Sequence, residues 1–199
     1  MPFCTNMPRT DARSWGRTAC AVVCGILIWT QASAHAEPPA HPGRETIDAT
    51  AADRRGQWER RVHTMLRAGE LRLRERRVAA DGARDEWFDQ MYKGVPIEGA
   101  DVWRHSTPEG VTAIEGTIFN HVVLNPMPKL TRQDALDALS LLEPGTLGPS
   151  VPPALIVLPT ADGKYTLVYK MRLLIDGKLV TYYLDASTGA VTLREDEER

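Results

Sequence analysis

The feature that most constrains this fold is a succession of short turn signals at close spacing. Asp81-Gly82, Gly94-Val95-Pro96, Glu109-Gly110, Asp162-Gly163 and Asp176-Gly177 each interrupt runs of alternating or apolar residues. Such groups supply the positive-φ or proline-fixed positions of tight hairpins, so the chain between them has to run as antiparallel strands. The first set of runs is Leu71 to Val78, Asp85 to Tyr92, Ile97 to His105 and Val111 to Phe119. The second is Ala154 to Leu158, Tyr165 to Ile175, Lys178 to Leu184 and Ala190 to Leu193.

Each set follows a helical segment. Residues 51–68 place Trp58, Val62, Met65 and Leu66 on one face at helical spacing, with Gly69 as the stop. The second helix starts at Thr131, a capping residue with Asp134 at the third helical position. Ala135, Leu136, Leu139 and Leu142 form its apolar face, and Pro144-Gly145 ends it. The expected class is α+β, a helix followed by an antiparallel sheet in each of two small modules, residues 51–127 and 128–195. Residues 196–199 are expected to be a charged, solvated tail.

The amino terminus reads as an export signal. Arg9, Arg13 and Arg17 give a positive start, and the apolar run from Ala19 to Trp29 is short for a bilayer span. Ala34-His35-Ala36 supplies small residues for cleavage after Ala36, making residues 1–36 a signal peptide. The expectation is a secreted or periplasmic protein with no stable membrane association after cleavage. Residues 37–50, with Pro38, Pro39 and Pro42, read as a flexible N-terminal segment. All three cysteines, Cys4, Cys20 and Cys24, fall in the leader, so the mature chain has neither disulfides nor a cysteine metal site.

A formal net charge of −2 gives the chain no general electrostatic reason to bind nucleic acid. The run Arg72, Arg74, Arg76, Arg77 alternates with Leu71, Leu73 and Glu75, the pattern of a solvated strand face. Catalytic patterns are missing. His35, His41, His63, His105 and His121 form no H-E-x-x-H, which would set two zinc ligands one helical turn apart beside a glutamate. Ser106, Ser140, Ser150 and Ser187 lack a G-x-S-x-G context, and no Gly-rich phosphate loop is present. The chain reads as a non-enzyme without cofactor or metal.

Two segments carry a family resemblance. Gln90-Met91-Tyr92-Lys93-Gly94-Val95-Pro96-Ile97-Glu98-Gly99-Ala100-Asp101-Val102 resembles the fungalysin/thermolysin propeptide (FTP) signature, Q-x-Y-x-G-[IV]-P-V-x-G-A, with Ile97 in place of the commoner valine. Tyr165 to Met171, followed by Tyr182-Tyr183-Leu184-Asp185-Ala186-Ser187-Thr188-Gly189-Ala190-Val191, resembles the PepSY module, whose last hairpin commonly reads Y-x-V-D-A-x-T-G-x-V. In this order the two are similar to the pro-region of thermolysin-like metalloproteases, across residues 51–195.

The motif residues Gln90, Tyr92, Gly94, Pro96, Gly99, Ala100, Tyr183, Asp185, Thr188 and Gly189 read as structural. Gly94 and Gly99 suit a turn and a bulge, and Pro96 suits a strand start or edge. Asp185 is placed to accept the amides of Ser187 or Thr188. Gln90 needs a specific partner if buried. The resemblance implies a protein that works by binding: such pro-regions assist folding of a protease domain and then occupy its cleft. A thermolysin-like metalloprotease is the implied partner, and Leu193, Arg194 and Glu195 are the candidate partner contacts. The alternatives are a pro-region remnant of a protease gene, and a secreted binding module with no protease partner.

Overall fold

The computed structural model describes residues 41–143 and 152–197. The leader, its cysteines, Ser150 and the Pro144-Gly145 stop lie outside these residues. In chain order the elements are β1 (Arg44–Asp48), α1 (Ala52–Ala68), β2 (Leu71–Val78), β3 (Arg84–Tyr92), β4 (Val95–Thr107) and β5 (Gly110–Phe119). There follow α2 (Arg132–Leu142), β6 (Ala154–Pro159), β7 (Tyr165–Ile175), β8 (Lys178–Asp185) and β9 (Val191–Glu197). The nine strands form one sheet, ordered β1-β5-β4-β6-β7-β8-β9, with β3 on β4 and β2 beyond β3.

Both helices lie where the apolar spacing predicts. In α1 the buried Val62 and Met65 face the sheet, and Gly69 ends the helix in a left-handed conformation at φ 71°. The amides of Gly69 and Glu70 then close on the carbonyls of Leu66 and Met65 at 3.2 and 2.8 Å. Thr131 caps α2 reciprocally: its hydroxyl accepts the Asp134 amide, and the Asp134 carboxylate accepts the Thr131 amide at 2.7 Å. Aspartate therefore completes a box that usually carries glutamate or glutamine.

Two apolar clusters result. One packs α1 against Ile47, Leu71, Phe88, Val102, Ile114 and Ile118. The other packs Ala135 and Leu139 of α2 against Val157, Tyr169, Met171, Tyr182 and Leu184, and it takes Val95, Ile97 and Ala100 from β4. β4 is long enough to serve both. The wall of aliphatic and aromatic side chains removes apolar area from water at roughly 25 cal/mol per Å², the main source of stability in a sheet of this kind.

Four expectations are corrected. The segment read as flexible, residues 37–50, contains β1: Arg44–Asp48 pairs antiparallel with β5, from Arg44 opposite Phe119 to Asp48 opposite Glu115. Burial is the cause, since Ile47 and Ala49 are 2% and 0% exposed beneath α1. The two antiparallel sets are not separate sheets, because β4 and β6 pair in parallel at Ile97 and Val157 and join them. The turn placed at Gly94-Val95-Pro96 lies one residue earlier, at Lys93-Gly94 (φ 46° and 86°), so β4 begins at Val95.

The charged end is the fourth. β9 continues through Glu197, with Thr181 opposite Glu195, Val180 opposite Asp196 and Leu179 opposite Glu197. Backbone pairing with β8 extends the strand past the last apolar side chain, where side-chain pattern alone gives no signal. Among the described residues, no helix is long and apolar enough to cross a membrane.

Candidate functional site

The first motif forms the junction of the sheet. Met91 and Tyr92 of β3 pair with Pro96 and Val95 of β4, and pairing resumes only at Asp89 opposite Asp101. Between these points β4 carries Ile97 to Ala100 against the single residue Gln90 of β3. The excess lets β4 swing away from β3, and Ile97 meets Val157 of β6 instead. Gly99, at φ 69°, lies within this excursion, and Ala100 is buried against the second cluster. Gly94 sits at φ 86° in the two-residue hairpin, a position that costs a side-chain-bearing residue about 1–2 kcal/mol.

Gln90 is the key to this junction. Its side chain is buried, its amide donates to the Phe119 carbonyl at 2.8 Å, and its carbonyl accepts the Phe119 amide at 2.7 Å. The carboxamide thus acts as a surrogate peptide unit that finishes β5, as a strand neighbour would. Tyr92 donates to the Leu124 carbonyl at 3.2 Å, tying down the chain that leads to α2. A cleft of about 690 Å³ opens beside them, lined by Arg61 and Met65 of α1, Gln90 to Gly94, and Phe119 to Val122.

The second motif is elsewhere. Asp185 Oδ1 accepts the amides of Ser187 and Thr188, each at 2.8 Å, and the Thr188 hydroxyl at 3.1 Å. Gly189 donates to the Asp185 carbonyl at 2.9 Å and faces Ala138 and Leu130. The Ala186 carbonyl takes the amides of Lys129 and Leu130, so this hairpin fixes the approach to α2. Tyr183 points to the opposite face of the sheet. Its hydroxyl donates to Glu195 at 2.9 Å, and burial, with Glu98 and Glu195 nearby, pushes it well above the usual phenol range.

The three candidate contacts on β9 divide between two faces. Leu193 and Glu195 line a groove of about 560 Å³ together with His41, Arg44, Glu98 and Leu158. Arg194 lies on the other side, where its guanidinium donates to the Tyr182 hydroxyl at 3.0 Å and to Asp196 at 2.9 Å. Lys170 bonds Glu98 and lies 5.6 Å from the Tyr183 ring, so the groove wall is charged at one end and apolar at Leu158 and Leu193.

Two features escape a reading by motif. The His41 ring bridges two backbone groups, with Nδ1 accepting the Gly43 amide at 3.0 Å and Nε2 donating to the Lys164 carbonyl at 3.1 Å. Glu86 is buried between Arg76 and Arg104. Burial raises its pKa, and the bonds and charges of Arg104 and Arg76 outweigh that, holding the carboxyl below its ordinary value. The signal for both lies in long-range pairing, which spacing along the chain does not encode.

Chemically the arrangement braces the sheet. Asp85 accepts from the Trp103 indole at 3.1 Å and sits 2.7 Å from Nδ1 of His105, a pair engaged in holding the sheet face. Among the described residues no group of three or more His, Cys, Asp or Glu is placed to hold a metal ion.

No curated protein matches the chain. Among solved structures, the C-terminal domain of Bacillus megaterium YpeB is similar at 15% identity and a TM-score of 0.41, over 72% of this chain. The chain spans 65% of the length of that structure. The stretch from Gly69 to Ile118, which holds β2, β3, β4 and nearly all of β5, matches the Fungalysin/Thermolysin Propeptide Motif and so relates this part of the chain to the pro-regions of thermolysin-like proteases.

Proposed function

We propose that this chain is an exported, non-catalytic, propeptide-like protein that binds a thermolysin-type metalloprotease as inhibitor or folding helper. The observation that carries the reading is the propeptide motif over residues 69–118, the segment whose Gln90 clip and β4 excursion organise the sheet. Residues 1–36 act as the signal peptide in this reading, and the α1 and α2 clusters correspond to an FTP-like module and a PepSY-like module. The partner contact is the groove at Leu193 and Glu195, where an apolar wall sits beside charged residues. Arg194, turned to Tyr182 and Asp196, supports the strand from behind.

One observation favours a second reading, a secreted binding module without a protease partner. β9 is held in the sheet by β8, so the segment around Leu193 is not a free strand to lay across a protease cleft. The two readings separate on titration of the purified protein into a panel of thermolysin-like proteases, following peptide hydrolysis. The inhibitor reading predicts stoichiometric loss of activity with at least one enzyme, and the folding-helper reading predicts a higher yield of refolded protease. Neither effect across the panel, with the protein shown to be folded, leaves the binding module.

A further inference from the structure

Among the described residues β2 and β9 are both open edges: β2 pairs with β3 alone and β9 with β8 alone. An open edge presents backbone donors and acceptors ready for another strand. These two edges carry opposite charge. β2 presents Arg72, Arg74, Arg76 and Arg77 against one glutamate, Glu75, and the arginine side chains are 50–68% exposed. Neighbouring carboxylates neutralise them only in part, since Arg77 bonds Glu75, Arg72 and Arg74 share Asp89, and Arg76 shares Glu86 with Arg104. β9 ends in Glu195, Asp196 and Glu197 against one arginine, Arg194, already bound to Asp196.

The edges also match in length and apolar content. β2 has 8 residues and β9 has 7. Leu73 and Val78 are exposed on the first, Val191 and Leu193 on the second. Opposite charges facing across a strand pair stabilise it, and like charges destabilise it. Pairing β2 with β2, or β9 with β9, is therefore disfavoured, whereas β2 with β9 is favoured. Within one molecule the two edges lie at opposite ends of the path β2-β3-β4-β6-β7-β8-β9. The third edge, β1, is 5 residues long, and its Glu45 is bound by Arg61 and Asn120.

We propose that this chain associates with itself head to tail, the basic edge β2 of one copy pairing with the acidic edge β9 of the next. Such a contact is heterologous and builds open chains or rings rather than a closed two-fold dimer.

Sedimentation of the purified protein at low ionic strength tests this. The expected weight-average mass climbs with concentration by about twofold or more over the monomer. It returns to the monomer near 1 M salt, where screening acts over about 3 Å. A protein that stays monomeric at low salt, or whose association strengthens with salt, overturns the proposal without any substitution. Charge reversal tests the pairing itself. Arg72→Glu with Arg77→Glu makes both edges acidic, and Asp196→Lys with Glu197→Lys makes both basic. Each variant alone is expected to be monomeric, and their mixture to regain association. Association that survives in either variant alone, or a mixture of variants with native circular dichroism that stays monomeric, contradicts it.

Discussion

Gln90 replaces a peptide group. Its two hydrogen bonds to the Phe119 backbone satisfy a donor and an acceptor that the end of β5 would otherwise leave unpaired inside the protein. Gln90→Leu keeps the apolar contacts and removes both partners, so we expect a loss of about 2–4 kcal/mol in urea unfolding. A change below about 0.5 kcal/mol would mean that water replaces the carboxamide there. Glu86 makes a prediction in pH. Its pKa is lowered in the folded protein, because the arginines outweigh the burial, so it contributes stability above the ordinary glutamate value of about 4.3. That contribution disappears as pH falls through the lower folded value. Acid unfolding of Glu86→Gln should therefore show a shallower loss of stability below about pH 4.3 than the unaltered chain, and parallel curves would count against the triad. A strand glutamine announces in sequence that it needs a partner. Its partner, 29 residues away, is set by topology and is not legible there.

Among the elements, the helices and hairpins were the legible part, because their signals are local. Thr131 and Asp134 cap α2 from within one turn, and Asp185 closes its hairpin over four residues. β1 was not legible: Arg44-Glu45-Thr46-Ile47-Asp48 has one apolar side chain and follows a proline, so only its pairing with β5 makes it a strand. β9 hides for the same reason, being held by β8 through a charged stretch. The reading of β9 as a strand predicts that deleting residues 194–199 lowers stability by about 1–3 kcal/mol, from lost cross-strand pairs at roughly 0.2–1 kcal/mol each. A solvated tail would cost nothing measurable in the same denaturant titration.

At the scale of the whole molecule, β4 does the joining. Val102 belongs to the α1 cluster, while Val95, Ile97 and Ala100 belong to the α2 cluster. A parallel pair between Ile97 and Val157, sixty residues apart, is the kind of non-local contact that periodicity cannot foresee. With β4 shared, the two clusters should unfold together. Trp15 and Trp29 fall in residues 1–36, and Trp58, Trp87 and Trp103 in the first half of the described residues, so in the chain freed of residues 1–36 tryptophan fluorescence reports that half and far-UV circular dichroism reports both. Coincident transitions by the two probes are expected, and a separate early fluorescence change would show that the halves melt independently.

The functional claim rests on binding rather than chemistry, so binding is the quantity to measure. Calorimetric titration of the purified protein against a thermolysin-like protease, zinc in place, addresses it most directly. We predict one-to-one saturation that is lost in Leu193→Asp, a substitution in the exposed wall of the groove that leaves the circular dichroism unchanged. No heat with any enzyme of the class, from protein shown to be folded, would contradict the account.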